Sequence, residues 1–519
     1  MSAGLGLNLI KVKREPGSAI ILPAVVHWKV GHYGALTREL YGKYLLEDPT
    51  FGNHTWLSAD ALDAEGSGFF LIPSQALPAG WSPASAAEAS EIFGKGHSGA
   101  GGENETAKCD HKSGGDDCGS LAMARYSFHT LLASLSISDT PVGYTPAYGP
   151  AVRVNVTYNQ REEGQPGIML YSNFSQKWVN NWVSYLVDNT SSSGADVTLY
   201  QRGGGAEVFT NFDTQTNTYG LDAQSSSYLV MLTSDTYKKV FADGTEHYYE
   251  HHMGTVGANR RVFLSRIRDP QDNEVTIEYD STITTGARIK YIHDATGLTT
   301  EFFYNHSWNE FLVTSVEDPY GRTATFTYGS VNGAERLTDI EDVYGIVSSF
   351  GYDDGDGITR MTTPYGTTVF ELSDFKIGAS YDLIRYIEAT DPYGDKERIE
   401  YNLDDDQTGF PYTINEPLPD RNIVDYLTAD NDDRNSFYWD KQQMKYGAGD
   451  HSKAHLYHWL QPTSADTATS ILESEKPPLE GRIWYNYPGQ SEPHIQGDLA
   501  RPSVVGRVVE DENLSLIHI

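Results

Sequence analysis

Laid over itself, the sequence shows a repeat between Asp269 and Gly394, and no other feature limits the fold as much. Asp318-Pro-Tyr-Gly321 recurs in full as Asp391-Pro-Tyr-Gly394. Looser copies are Asp269-Pro270, Asp294-Ala-Thr-Gly297, Asp342-Val-Tyr-Gly345 and Thr363-Pro-Tyr-Gly366, so the copies start 25, 24, 24, 21 and 28 residues apart. Each copy is turn chemistry: Asp bonds nearby backbone, Pro fixes φ, and Gly at the fourth position suits the exit of a type I turn. An alternating run closing on tyrosine follows, at Tyr304-Asn305, Tyr328, Tyr352-Asp353 and Tyr401-Asn402, and another strand precedes the turn, as at 311–316. A lone hairpin is marginal in water, so neighbouring units must bury the aromatic ring. Consecutive hairpins from Arg266 to Asn402 are therefore expected to bury their tyrosines against one another as a continuous curved wall.

Composition agrees with a mainly β chain. Among 519 residues there are 34 Tyr and 49 Gly, which favours half-buried strands joined by tight turns. With 71 acidic against 38 basic residues the formal charge is −33, which repels a phosphate backbone and an anionic lipid surface, so no nucleic acid is expected as a partner. Two cysteines, Cys109 and Cys118, exclude a disulfide framework and a four-cysteine zinc site. One bridge across their short loop is the expectation for an oxidising compartment. No run approaches the roughly 20 apolar residues that cross a bilayer, and the first residues lack the basic start and apolar core of a signal peptide.

The length suggests about three domains, and composition divides the chain further. Residues 1–73 carry apolar runs at 19–26, 43–46 and 69–72 and read as a small sheet. Residues 74–119 shift to Ala, Ser, Gly, Asp and Glu without apolar period, as in a solvated linker. Residues 120–265 are β-rich, with Val152, Val154, Val156 and Tyr158 on one strand face and an Asp243-Gly244 hairpin turn. The repeats occupy 266–402. In 403–519 the blocks Asn435-Ser-Phe-Tyr-Trp-Asp440 and Arg482-Ile-Trp-Tyr-Asn-Tyr-Pro-Gly489 keep aromatic strand character, until Leu514-Ser-Leu-Ile-His-Ile519 breaks the pattern and reads as a truncated frame or adapter read-through.

A turn followed by Tyr-Asp or Tyr-Asn at this period resembles the YD repeats of RHS proteins. The resemblance implies an antiparallel β-sheet coiling into a hollow shell, secreted or at the cell surface, that encloses a polypeptide or presents an adhesive surface. The export signal is then expected upstream of the present Met1. The first seventy residues are similar to the C-terminal half of C39-type peptidases, papain-like cysteine enzymes that remove leader peptides after a double glycine. That resemblance implies a small partial α+β segment with His32 as general base and Asp48 as its orienting carboxylate, 16 residues on. The family's cysteine and glutamine precede the histidine, and neither residue type occurs upstream of His32, so the catalytic set in this chain is incomplete and the segment reads as a remnant.

Other motifs carry less. His247-Tyr-Tyr-Glu250-His251 spells a metallopeptidase string, but that string needs a helix, and on a strand its histidines stand about 13 Å apart. Gly94-Lys-Gly96-His-Ser-Gly99 spells a dinucleotide fingerprint without a following helix. Asp353-Asp-Gly-Asp-Gly357 and Asp404-Asp-Asp406 lack calcium-loop spacing and read as solvated turns. No cofactor or metal is expected. Three readings remain: a shell fragment, a C39-like peptidase acting on a peptide substrate, and a module whose exposed aromatic rings stack on a surface glycan.

Overall fold

The computed structural model describes residues 9–28, 32–40, 42–48, 53–74, 76–85, 123–162, 164–189, 191–192, 194–222, 225–253, 258–354, 356–376, 383–402, 434–447, 449–462, 468–478, 480, 482–492, 494–509 and 513–518. The fold is mainly β and its sheets are antiparallel. It divides into two compact units, whose described parts are residues 9–85 and residues 123 onward.

In the first unit β1 (Leu9–Arg14), β2 (Ala24–Trp28), β3 (His32–Leu40), β4 (Lys43–Asp48), β5 (Asn53–Ser58), β6 (Gly66–Pro73) and β7 (Trp81–Pro83) form one sheet in the order β5-β4-β3-β2-β6-β1-β7. The apolar runs supply its core, with Val12, Val26, Leu36 and Ile72 fully buried. A short helix, α1 (Ala59–Glu65), starts where the Ser58 hydroxyl accepts the Ala61 N–H at 3.2 Å, and adds Leu62 to that core. The sheet continues past Pro73 into the stretch read as linker. Trp81 is the cause: its ring lies 5.1 Å from Phe70 and its indole N–H donates to the Ala19 carbonyl at 2.8 Å. One buried indole outweighs a polar surrounding composition. Cys109, Cys118 and the glycine motif at 94–99 lie outside the described residues.

The second unit opens with β8 (Arg125–His129), β9 (Ser134–Tyr144), β10 (Val152–Asn159) and β11 (Trp178–Asn180), a four-stranded sheet in the order β11-β10-β9-β8 among the described residues. Val152, Val154, Val156 and Tyr158 are all buried on β10, as their alternation predicts.

Next come β12 (Tyr185–Asn189), β13 (Val197–Tyr200), β14 (Ala206–Phe209), β15 (Tyr228–Thr233), β16 (Thr236–Val240), β17 (Glu246–Met253) and β18 (Ala258–Arg268). They neighbour one another in order, and β12 also pairs with β18, so these strands close on themselves. Residues around Tyr219 and Gly220 join β14 to β15, through Tyr219 N–H to Leu229 O at 2.8 Å and Gly220 N–H to Thr210 O at 2.9 Å. The Asp243-Gly244 hairpin forms as read, between β16 and β17.

The repeats extend the same sheet as β19 (Glu274–Tyr279), β20 (Ile289–His293), β21 (Thr299–Phe303), β22 (Ser315–Glu317), β23 (Thr323–Val331), β24 (Ala334–Glu341), β25 (Val347–Tyr352), β26 (Ile358–Thr363), β27 (Gly366–Lys376), β28 (Leu383–Thr390) and β29 (Lys396–Asn402). It runs on through β30 (Asn435–Trp439), β31 (His455–Trp459), β32 (Leu472–Lys476), β33 (Ile483–Asn486), β34 (Val504–Val509) and β35 (Asn513–His518). The second helix, α2 (Lys441–Gly447), sets Met444 against a core of Phe437, Trp439, Ala454 and Leu456. The residues read as adapter read-through make up most of β35, which pairs with β34.

Candidate functional site

Four of the repeat turns are closed in the same way, while Thr363 and Gly366 pair directly as the ends of β26 and β27. The backbone N–H of Gly297, Gly321, Gly345 and Gly394 donates to the carbonyl of the turn's aspartate three residues earlier, at 2.9–3.0 Å. One carboxylate oxygen of each aspartate accepts two further N–H groups; for Asp342 these come from Tyr344 and Ile346, both at 2.8 Å. The four glycines have φ between 74° and 88°. In the first copy that place falls to Asp272, at φ 65°, which costs a non-glycine residue free energy. Its ion pair with Arg268, 3.5 Å long and exposed, offsets little. Asp272→Gly is expected to raise stability by about 0.5–1 kcal/mol in urea unfolding; an unchanged or lower midpoint would contradict this reading of the turn.

The tyrosines do something the pattern did not reveal. Tyr279, Tyr304, Tyr328 and Tyr352 each donate a hydroxyl hydrogen bond to the carbonyl fifteen residues earlier, on Leu264, Ile289, Val313 and Leu337, at 2.6–2.7 Å. Tyr487 repeats the latch to Leu472 at 2.7 Å, so the same unit recurs well beyond Asn402. The rings do not pack on one another. Tyr279 stacks on His251 with centroids 3.9 Å apart, Arg288 lies over Tyr304, and His306 meets Tyr328 edge-on. The side chain that fills each core position is the one two residues earlier, Ile277, Phe302, Phe326 or Phe350, all buried. Burial holds the phenols of Tyr279, Tyr304, Tyr328 and Tyr352 above the ordinary tyrosine pKa, so the latch keeps its proton at neutral pH.

The latched residues explain why the contact recurs. Leu264, Ile289, Val313, Leu337 and Ile358 are each 0 % exposed, and three of them lie at register shifts opposite Tyr279, Tyr328 and Tyr352, where a regular ladder bond is missing. A buried N–H or carbonyl needs a partner. The tyrosine supplies the donor for four of the carbonyls, and the segment before the repeats supplies the acceptors. Leu264 N–H donates to Ser184 O at 2.9 Å, Ile289 to Ser172 Oγ at 2.8 Å and Val313 to Asn173 O at 3.1 Å. Leu337 donates to Ser175 Oγ at 3.1 Å and Ile358 to Tyr158 Oη at 3.2 Å. One acceptor thus meets each successive unit. Rings follow the same order: Tyr171 lies 5.8 Å from Phe263, Phe174 4.5 Å from Phe326, and Trp178 4.8 Å from Phe350. The lead-in is a strap across the repeats. Tyr328→Phe removes the donor to a buried carbonyl and is expected to cost about 1–3 kcal/mol with an unchanged denaturant slope; a loss below about 0.5 kcal/mol would make the latch incidental.

A second row of contacts is made from β9 and from the residue before β8. Arg322 donates to Gly143 O at 3.2 Å, Val343 N–H to Pro141 O at 3.1 Å, and Ala124 N–H to Ser348 Oγ at 3.0 Å. Here Asp139 is buried near Asp342, Ser348 and Arg125. Burial first, and the charge of Asp342 second, push its carboxyl up to about 7 from 3.8. The folded protein therefore binds a proton that the unfolded chain releases near 3.8. Its stabilising contribution is complete below that value and is lost as pH rises through about 7. Asp139→Asn should gain on the native protein by a few kcal/mol, as an order of magnitude, between pH 4 and pH 8. Parallel stability-pH curves would contradict this.

The residues singled out for chemistry fall as follows. His32 opens β3 and Asp48 closes β4, and these strands pair with Ala35 opposite Glu47, so both residues stand at one end of adjoining strands. Nearby in sequence, His27 Nδ1 lies 2.8 Å from Ser67 Oγ, whose proton goes to the His27 carbonyl at 3.0 Å, so that hydroxyl is held rather than activated. His247 and His251 lie on strand β17, the first against Phe241 and the second on Tyr279. In the cluster at 353–357, Gly357 N–H donates to Asp353 Oδ1 and Asp356 pairs with Arg336. Asp404 to Asp406 lie outside the described residues.

No family model and no curated protein matches the chain. Among solved structures it is similar to the crystal structure of TcdB2-TccC3, at 10% identity over 76% of this chain and 30% of that chain, with a TM-score of 0.31. It is also similar to a Photorhabdus luminescens Tc holotoxin pore, at 9% identity over 68% of this chain and 23% of that chain, with a TM-score of 0.30. A third is the crystal structure of TcdB2-TccC3-Cdc42, at 9% identity over 75% and 29%, TM-score 0.30. The chain spans less than a third of the length of each.

Proposed function

We propose that this chain is a wall of an RHS-type shell, exported or displayed at a cell surface, whose work is enclosure of a polypeptide or contact with a surface. The observation that carries the reading is the latch: the same tyrosine-to-carbonyl bond, always fifteen residues long, in Tyr279, Tyr304, Tyr328, Tyr352 and Tyr487. A unit that repeats its least local contact is built to extend a surface, as stacked repeats do. The chain purified from cells that export it is expected to carry a polypeptide that resists trypsin until the wall is unfolded. Uniform digestion of everything that co-purifies would remove the enclosure reading and leave surface contact.

For the first unit we propose a remnant of a C39-type peptidase, on the placement of His32 and Asp48 at one end of adjoining strands. An orienting carboxylate and a base make no nucleophile, and in the family's order the thiol stands ahead of the histidine, where this chain has none before His32. If the gene encodes an in-frame cysteine upstream, its product should cut a double-glycine leader, with loss of activity on alkylation and in His32→Ala. No cut by such a product would leave the remnant.

A further inference from the structure

The turns carry a second set of tyrosines that stand largely exposed, although Tyr320 also meets Tyr144 edge-on with centroids 5.5 Å apart. Tyr320, Tyr344, Tyr365 and Tyr393, each at the third turn position, are 62%, 62%, 72% and 86% exposed. Hydrophobic area of this kind is normally scattered, whereas here it recurs at one position of the unit. The turns join β22 to β23, β24 to β25, β26 to β27 and β28 to β29, so all four rings stand at the same end of the sheet on every second strand gap. Neighbouring strands lie about 4.8 Å apart, which sets the rings roughly 9–10 Å from one another. Adjacent tips touch: a Cβ built on Gly366 would come within 2.7 Å of Pro392 Cβ. The row is continued where a turn has no tyrosine. At the Asp294 turn the third position is Thr296, and there the lead-in loop seats Gly149 against Ala295 and presents Tyr148, 55% exposed.

We propose that this rim binds a cationic, proline-rich segment of a partner protein in polyproline II conformation. The period decides the conformation. A polyproline II helix has three residues per turn at 3.1 Å each, roughly 9.3 Å, so every third residue meets the next ring, and aromatic rows are how such helices are recognised. A helix with no internal hydrogen bonds leaves its carbonyls free for the tyrosine hydroxyls. Charge decides the composition. The cations at the rim are taken up internally, Arg322 by Asp318 at 2.5 Å, Lys396 by Glu388 and Lys441 by Asp391, both at 2.6 Å. Glu317, Glu341 and Asp395 stay exposed without an ion pair among the described residues, on a chain of net charge −33. Lysine or arginine at the spaced positions completes the match.

The test titrates the whole chain with a twelve-residue peptide of Pro-Pro-Arg triplets, by calorimetry. Controls are a Gly-Gly-Arg peptide of equal charge, cello-oligosaccharide and phosphatidylcholine vesicles. The proline peptide is expected to bind, and the glycine peptide at least tenfold more weakly. Each ring removed should cost about threefold to tenfold, so Tyr344→Ala/Tyr365→Ala/Tyr393→Ala should lose at least about thirtyfold, with an unchanged melting curve because the rings are exposed. Equal binding of the two peptides, full binding by the triple variant, or retention only on the oligosaccharide or the vesicles would each overturn the proposal.

Discussion

Trp178→Ala is expected to cost about 3–5 kcal/mol, the largest loss of any single substitution in the strap. The indole is 1% exposed, lies 4.8 Å from Phe350 and 5.5 Å from Tyr158, and donates to Tyr352 Oη at 2.8 Å. Truncation opens a cavity on both sides of the lead-in and removes the donor to a hydroxyl that itself latches Leu337. Trp178→Phe keeps a ring and loses only the N–H, so it should cost about 1–2 kcal/mol. Urea unfolding of the two variants separates packing from hydrogen bonding. If Trp178→Ala lost less than about 1 kcal/mol, the lead-in would lie on the repeats without holding them.

Asp188→Leu should cost about as much, about 3–5 kcal/mol, for a different reason. Asp188 sits on β12 opposite Arg260 of β18, at the seam where the strands from β12 to β18 close. Its carboxylate accepts Arg260 Nε at 3.0 Å and the Tyr237 hydroxyl at 2.8 Å, and it is 3% exposed. Leucine fills the space but leaves a guanidinium buried without its countercharge and a phenol without its acceptor. Replacing both partners, as in Asp188→Leu with Arg260→Met, should restore most of the loss, because a well-packed apolar pair can match a buried ion pair. A double variant as weak as the single one would show that Arg260 is not what suffers.

How much of this could be read in the residues depends on distance along the chain. The turns were legible, since Asp, Pro and Gly act within four residues, and the glycines do take positive φ. So was the face of β10, where alternation alone puts Val152 to Tyr158 inside. The latch was not, because Tyr328 and Val313 meet only once β22 and β23 are paired; an aliphatic residue fifteen positions before each tyrosine was the available signal. The expectation of ring against ring misplaced the buried aromatic by two residues, a shift that alternation cannot detect, since residues two apart share a strand face. Ser172 and Ser175 look like ordinary loop serines until the buried N–H groups of Ile289 and Leu337 are found opposite them. For His32 and Asp48 the neighbouring strands follow from their spacing, while a thiol lies in no residue before them.

Amide hydrogen exchange at Ile289, Val313, Leu337 and Ile358 tests the strapped wall most directly. All four N–H groups point to acceptors on the lead-in rather than to a neighbouring repeat strand. Four amides that exchange together, only through opening of the whole second unit, and that speed up together in Trp178→Ala are the predicted result. Fast, independent exchange at these positions, while the ladder amides of β23 and β25 stay protected, would contradict it.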